Sequence, residues 1–359
     1  MTIAVILHPF GEKKPAGLAR TVYETTRSII AAAPRNEYLI LLKHNHNFPP
    51  KFPGTNWRAQ ILSYKYLWLT TKFRRFKAEL CIFFTPVLPF FFRPKRSIVV
   101  VCDLAYMHVP DRSFNAMVYH YLLRLINKWS LKRASAIVAI SEFTKSEIVK
   151  FFSIPEQKIR VIPLGFNKIS GNSIRAVNKA QKPYFLFTGV IKERKNVFNL
   201  VRAFNEFKRT DAKGINLVIA GQGGGAYHEK ILEFVRDENL ANSVIFLDHM
   251  NDQELAYLYG NAEALIFPSI LEGFGMPILE AMDSGLAVIT SNQGSMKEVA
   301  GDAALLIDPE NIYEIASAMK EVLNTDVKRK LIEKGWKRAR QFSWEQSAEK
   351  YLVLFREFF

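Results

Sequence analysis

The chain carries two cysteines in 359 residues, Cys81 and Cys102. Each stands in a strand-like apolar run, so buried reduced thiols are expected and a disulfide framework is not. Neither is grouped with histidine at metal-ligand spacing, so no metal site is expected. Long apolar runs are also lacking: a membrane-spanning helix requires ~18 such residues. The nearest stretch, Leu80 to Phe92, has thirteen and is broken by Pro86 and Pro89. The start, MTIAVILHPF, has no basic region ahead of its apolar stretch and reads as a first β-strand, not a signal peptide, so a cytoplasmic location is expected. Acidic residues are scarce in one half only. Residues 1–180 hold 28 Lys plus Arg against 9 Asp plus Glu, whereas residues 181–359 hold 21 against 25. That asymmetry, in a chain long for one core, argues for two domains and for an anionic partner, either nucleic acid or a membrane surface.

The aromatic content favours the membrane. From Tyr64 to Lys77 the chain reads YKYLWLTTKFRRFK, with Tyr64, Tyr66, Trp68, Phe73 and Phe76 interleaved with Lys65, Lys72, Arg74, Arg75 and Lys77. Interfacial aromatics among cations describe a peripheral membrane segment. The same pattern also describes a core helix with a solvated basic face, and both readings stay open. The stretch from Phe114 to Arg133 is more regular. Phe114, Met117, Val118, Tyr121, Leu122, Leu125 and Trp129 follow helical spacing and predict a core face.

Strands are expected near 3–7, 37–42, 80–84, 97–102, 136–140 and 159–162, with helix-like segments between most of them. Ser141 is placed to cap a helix ending near Phe152. The pattern repeats near 184–188, 215–220, 244–247, 264–267, 286–290 and 304–307. Two facing Rossmann-like α/β domains are the expectation: residues 1–167, a polar linker over 168–182, and residues 183–342. Ser343 and Gln346 fit a capping box that opens a last helix, over 343–359, expected to cross back to the first domain.

The most informative segment is PSILEGFGMPILEA, from Pro268 to Ala281. Pro277 suits the first helical position and Gly285 the helix stop, so Glu272 lies in the loop ahead of a short helix and Glu280 on its first turn. Backbone N–H groups from Gly273 to Met276 stand at the positive end of that helix, where anions bind. Carboxylates accept hydrogen bonds from sugar hydroxyls and the amides hold phosphate, a combination that suits a nucleotide sugar. An isolated Glu pair would more simply be a cap and a solvated residue. Here the motif follows the apolar strand at 264–267 and precedes another, so it sits at a strand's carboxyl end, where open parallel sheets bind ligands.

Other loops add to this. Gly221, Gly223, Gly224 and Gly225 follow INLVIAG, but GQGGGAY lacks the dinucleotide spacing and reads mainly as a tight strand-to-helix turn. The loop from His8 to Gly17 also leads into a helix, where Gly17 would let a phosphate approach. In GVIKERKNVFNLVRAF, Arg194 and Lys195 precede Asn196, a good N-cap, and Val197, Leu200, Val201 and Phe204 form the buried stripe. Two cations at a strand's carboxyl end can hold a diphosphate.

These blocks, with TSNQGSMKEVAGDAALLIDPEN, GLARTVYE around Gly17, CDLAYMHVP around Asp103 and AIVAISEFTKSEI around Ser141, resemble glycosyltransferase family 4 over nearly the whole chain. The pattern GxxxxRKN is closest to the mannosyltransferase-like branch of polysaccharide and O-antigen assembly. The resemblance implies an α/β fold of GT-B type, two facing Rossmann-like domains with a cleft between them. It implies retaining transfer from a nucleoside-diphosphate sugar, with no covalent nucleophile and no cofactor or metal. By position, Glu272 would approach the transferred sugar and Glu280 the ribose hydroxyls. Gly273, Phe274, Gly275 and Met276 would present the donor-binding turn. Arg194 and Lys195 would neutralise the leaving diphosphate, Gly17 would allow close approach from the other domain, and Asp103 would join the catalytic set.

The chain departs from the family in two places. Cys102 stands where a histidine commonly precedes Asp103 beside the donor sugar, with His8 and His108 nearby in sequence but not at that position. Asp248 stands where the family usually has glycine. A less polar wall at Cys102 implies tolerance of a 6-deoxy sugar. The expected protein is a cytoplasmic hexosyltransferase, peripheral on the inner face of the membrane, acting on a lipid-linked or cell-surface glycan acceptor and not on nucleic acid. The alternatives are a GT-B sugar-nucleotide epimerase or hydrolase and, from another class, a non-catalytic basic protein binding nucleic acid or membrane.

Overall fold

The computed structural model describes residues 1–9, 17–42, 50–61, 77–89, 94–108, 114–169, 175–210 and 214–359. Of the Tyr64–Lys77 segment, only Lys77 lies within them. The described chain divides into two compact units, Met1–Gly165 with Phe342–Phe359, and Phe166–Gln341.

In the first unit β1 (Thr2–Ile6), β2 (Glu37–Leu42), β3 (Trp57–Ile61), β4 (Leu80–Phe83), β5 (Ser97–Val101), β6 (Ala136–Ala139) and β7 (Ile159–Val161) form a parallel sheet in the order β3-β2-β1-β4-β5-β6-β7. Its helices include α1 (Gly17–Ala32), α2 (Phe114–Arg133) and α3 (Glu142–Phe152). The inner strands read as unbroken apolar runs because helices cover both faces of a parallel sheet: every residue of β4, β5 and β6 is buried. The edge strand β3, WRAQI, is exposed over its last four residues. Its five residues alternate apolar and polar, a pattern too short to announce a strand, and pairing with β2 defines it. Ser141 caps α3 as expected, accepting the Thr144 N–H at 3.0 Å.

The core face expected on α2 is a correction except at Trp129, which is partly buried against the core. Phe114, Met117, Val118, Tyr121, Leu122 and Leu125 are 40 to 73% exposed, and only Asn127, Ser130 and Leu131 are buried. At ~100° per residue those three lie on the opposite side of the helix from the apolar stripe. They anchor it by hydrogen bonds: Asn127 Nδ2 donates to the Tyr106 hydroxyl at 2.5 Å, and Ser130 Oγ accepts the Leu88 N–H at 2.9 Å. Periodicity located a stripe, but polar anchors decided which side faces the sheet.

The second unit has β8 (Tyr184–Thr188), β9 (Asn216–Ala220), β10 (Val244–Leu247), β11 (Leu265–Phe267), β12 (Val288–Ser291) and β13 (Leu305–Ile307), parallel in the order β10-β9-β8-β11-β12-β13. Its helices are α4 (Val197–Thr210), α5 (Gly225–Asp237), α6 (Asp252–Asn261), α7 (Met276–Asp283), α8 (Gly294–Ala300), α9 (Ile312–Glu321) and α10 (Thr325–Ala339). The chain then returns to the first unit as α11 (Trp344–Arg356), which packs on α1. Ser343 Oγ accepts the Gln346 N–H at 3.2 Å at its start. A side chain on Gly165, where the chain leaves the first unit, would strike the backbone of Ser343 and Trp344. No described helix is long and apolar enough to cross a membrane.

Candidate active site

In the second unit the chain runs from β8 outward through β9 and β10, then returns to place β11 on the other side of β8. The connections after β8 and β11 therefore diverge, and the carboxyl ends of these two strands flank the crevice where doubly wound sheets bind ligands. Both sequence motifs open there. Arg194 and Lys195 lie on the turn after β8, and Glu272 lies on the loop after β11.

The two loops are stitched together. Ile270 donates its N–H to the Arg194 carbonyl at 2.8 Å, and Arg194 Nη1 donates to the Leu271 carbonyl at 3.0 Å. The same guanidinium nitrogen lies 2.9 Å from Glu272 Oε2, and Lys195 Nζ pairs with the other carboxylate oxygen. The Lys195 and Glu272 side chains are 12% and 11% exposed, against 34% for Arg194. Lys195 also lies over the Phe267 ring, 4.7 Å from its centroid. The structure thus joins the three residues expected to meet one ligand, with the carboxylate bridging the cations.

Asn196 is not the side-chain cap that its position predicted. It adopts a left-handed conformation with φ 58°, and its Nδ2 donates to the Pro309 carbonyl at 2.5 Å. The Tyr227 hydroxyl instead accepts the Phe198 N–H at 3.0 Å at the start of α4.

Hydroxyl groups absent from the sequence argument hold the glutamate loop. Thr290 donates to the Phe267 carbonyl at 2.8 Å, Ser291 to Ser269 at 2.5 Å and Ser295 to Glu272 at 2.7 Å. All three fall in TSNQGS, so the signal available was that segment's hydroxyl density beside the motif. Gly275 precedes α7 with φ +104°, a conformation open to glycine, and Gly273, Phe274 and Gly275 are buried while Met276 is half-buried. The helix starts at Met276, with Pro277 second, so Glu280 falls in its second turn and not its first. Glu280 is only 8% exposed. Tyr259 from α6 donates its hydroxyl to Glu280 Oε2 at 3.1 Å, and Thr188 Oγ1 lies 3.0 Å from the same phenol oxygen.

In the first unit, Cys102 and Asp103 follow β5 at its carboxyl end. Asp103 is exposed and accepts the Ala105 N–H at 3.1 Å. Burial pushes the Cys102 thiol up to about 12, with the neighbouring Asp103 charge adding to it. The following turn carries His108, whose Nε2 lies 2.5 Å from Glu147 Oε1 on α3. Burial raises the Glu147 carboxyl, and its hydrogen bond to His108 partly offsets this. Sequence spacing missed this pair because its members lie on separate elements. Gly17 is the exposed first residue of α1, and the loop before it lies outside the described residues.

Family comparisons agree with this architecture. Residues 17–168 match the model of Glycosyltransferase Family 4, and residues 172–339 that of Glycosyl transferases group 1. The chain is 29% identical over 263 residues to O-antigen chain mannosyltransferase B of Escherichia coli, covering 70% of this chain and 68% of that protein. It is 31% identical over 224 residues to O-antigen chain mannosyltransferase RfbU of Salmonella typhimurium, covering 62% and 60%. The sucrose-phosphate synthase of Thermosynechococcus elongatus superposes with a TM-score of 0.77 at 20% identity, over 99% of this chain and 98% of that one. With two parallel-sheet Rossmann-like domains and both family models matched in order, the chain belongs to glycosyltransferase family 4 and has the GT-B fold.

Proposed function

We propose that this glycosyltransferase moves a hexose, mannose or a related 6-deoxy sugar, from a nucleoside diphosphate to a lipid-linked or cell-surface glycan acceptor, as in O-antigen assembly. The observation that carries this reading is the convergence of Arg194, Lys195 and Glu272 at the β8–β11 crevice. The mannosyltransferase relatives support the choice of sugar. Arg194 and Lys195 hold the diphosphate and stabilise the charge that grows on it, a task that in this reading needs no bound metal. Glu280 accepts hydrogen bonds from the ribose hydroxyls, Glu272 turns to the sugar, and Gly275 and Met276 amides face the phosphate. The family resemblance assigns Gly17, Cys102 and Asp103 of the first unit to donor binding and catalysis.

Transfer proceeds with retention. The bond from the anomeric carbon to the diphosphate oxygen breaks, the acceptor oxygen bonds to that carbon on the same face, and the departing phosphate oxygen takes the acceptor's proton. The enzyme works in the cytoplasm at the inner face of the membrane.

A donor panel of GDP, UDP, dTDP and ADP sugars tests the reading, first by thermal shift and then by transfer. A true donor at a hundredfold excess over its Kd stabilises the native state by about 2.7 kcal/mol. Transfer should survive EDTA and depend on an acceptor. Metal-dependent turnover would remove the assignment of Arg194 and Lys195, and consumption of donor without an acceptor would favour a hydrolase. The kcat/KM ratio for GDP-mannose against GDP-rhamnose reads the expected 6-deoxy tolerance.

A further inference from the structure

The first three turns of α2 present Phe114, Met117, Val118, Tyr121, Leu122 and Leu125 at 73, 47, 40, 61, 51 and 48% exposure. Their spacing confines them to an arc of ~140°, a continuous stripe about 18 Å long at 1.5 Å per residue. Tyr119, also exposed on α2, lies outside that arc, and other exposed large apolar side chains among the described residues, such as Ile61, Tyr313 and Trp336, stand on separate elements. Scattered residues of that kind need no explanation, whereas a contiguous exposed apolar stripe marks an interaction surface.

The charges on the helix select what covers it. Phe114–Arg133 contains no Asp or Glu, and its cations are Arg124, Lys128, Lys132 and Arg133. Lys128 and Lys132 continue the same arc, so the stripe runs from hydrocarbon into positive charge. Pairing two copies of this face in parallel would set cation against cation, and pairing them antiparallel would lay each lysine end on the partner's apolar turns, neither of which a specific interface favours. An anionic bilayer offers both halves what they need, acyl chains for the leucines and aromatics and phosphates for the lysines. The excess of 28 cations over 9 carboxylates in residues 1–180 adds a long-range attraction of the same sign.

We propose that α2 is the face by which this protein docks on an anionic lipid bilayer, its first three turns lying at the headgroup boundary and its basic end against lipid phosphates. The proposal rests on the membrane-associated reading above for the choice of a bilayer, and on the exposed stripe for the location.

The test is co-sedimentation with vesicles of phosphatidylcholine alone and of phosphatidylcholine with phosphatidylglycerol, at low and high salt. The parent should bind the anionic vesicles and release with salt. Tyr121→Ser/Leu122→Ser/Leu125→Ser, at exposed positions that leave folding unaffected by circular dichroism and melting temperature, should lower the partition coefficient at least tenfold. Arg124→Gln/Lys128→Gln should remove much of the preference for anionic lipid. A triple-serine variant that binds like the parent overturns the proposal, as does loss of binding only on neutralising Lys72, Arg74, Arg75 and Lys77. A parent dimer in sedimentation velocity that the triple variant dissolves also overturns it, since the occupant is then a second copy. Transfer to a water-soluble acceptor by the same proteins separates the two readings. Turnover without vesicle binding sinks the docking face alone, and stripe-dependent binding without turnover sinks the transferase assignment alone.

Discussion

Arg194 Nη1 lies 2.9 Å from Glu272 Oε2, and Lys195 pairs with the same carboxylate, so the two cations assigned to a diphosphate already share one negative side chain of the site and keep a single net positive charge. In the proposed function, a diphosphate arriving at Arg194 and Lys195 competes with Glu272. Displacement of the carboxylate then leaves it available to sugar hydroxyls, which couples phosphate binding to sugar contact.

This competition gives Glu272→Gln opposite effects on binding and turnover. Removing the charge releases the two cations, so a free nucleoside diphosphate should bind several-fold to about tenfold more tightly, in line with ~1 kcal/mol for a pair whose arginine is partly solvated. Turnover should fall because the carboxylate's sugar contact is lost. Lys195→Ala should weaken the same nucleotide. Calorimetric titration of the three proteins decides it, and weaker binding by the glutamine variant refutes the competition.

Tyr259 supplies a second handle. Its hydroxyl sits between Thr188 and the nearly buried Glu280, and Tyr259→Phe removes that oxygen while leaving the ring in place. A hydrogen bond to a charged group contributes ~1.5–3 kcal/mol, so some stability should be lost. The informative readout is the ribose. Affinity for the intact nucleotide should fall towards that for its 2′,3′-dideoxy analogue, which should itself change little. An equal loss for both nucleotides would mean that Tyr259 only supports the fold.

The uneven legibility of the sequence has physical causes. Strands such as YFLFT over Tyr184–Thr188 announced themselves because a doubly covered parallel sheet buries every residue. WRAQI announced little, since an alternation of only five residues at an exposed edge is too short to stand out. PSILEGFGMPILEA was readable because glycine and proline fix where its helix starts and stops. The partners of those residues were not. Arg194 meets Leu271 across 77 positions, and Ser295 reaches Glu272 across 23, through a topology that no local spacing encodes. Asn196 occupies the position of a cap, but a carbonyl at Pro309, 113 residues away, takes its side chain. On α2 the apolar period was real, and Asn127 and Ser130 turned the other side inward.

Both thiols should be sluggish. Burial pushes Cys81 and Cys102 up to about 12 from an ordinary 9.0. At pH 8 an ordinary thiol is ~10% thiolate and one at 12 only ~0.01%, so native alkylation should be about a thousandfold slower than in the unfolded chain. Because the folded values lie above the unfolded ones, the neutral thiols favour the folded state below pH 9, and this contribution is lost as pH rises towards 12. Iodoacetamide labelling read by mass spectrometry between pH 7 and 10 should show native rates climbing tenfold per unit while unfolded rates level off near 9. Rapid native labelling of Cys102 at pH 7.5 contradicts this.

The glycine run after β9 separates steric need from backbone strain. Gly221 has φ +153°, and a Cβ there would drive into the carbonyl of Gly189, whose own N–H is bound to the Ala220 carbonyl at 2.9 Å. Gly189 begins the loop that carries Arg194 and Lys195, so Gly221→Ala pushes directly on the cation turn. Gly224 has a similar φ of +158°, but a Cβ there meets nothing within 4 Å. Backbone strain alone costs ~1–3 kcal/mol and should be common to both. The clash is an added term for Gly221→Ala, so it should unfold at clearly lower urea than Gly224→Ala and bind nucleotide more weakly. Gly224→Ala should retain its affinity. Equal midpoints and equal affinities for the two variants would show that the close approach of Gly221 to Gly189 does not shape the site.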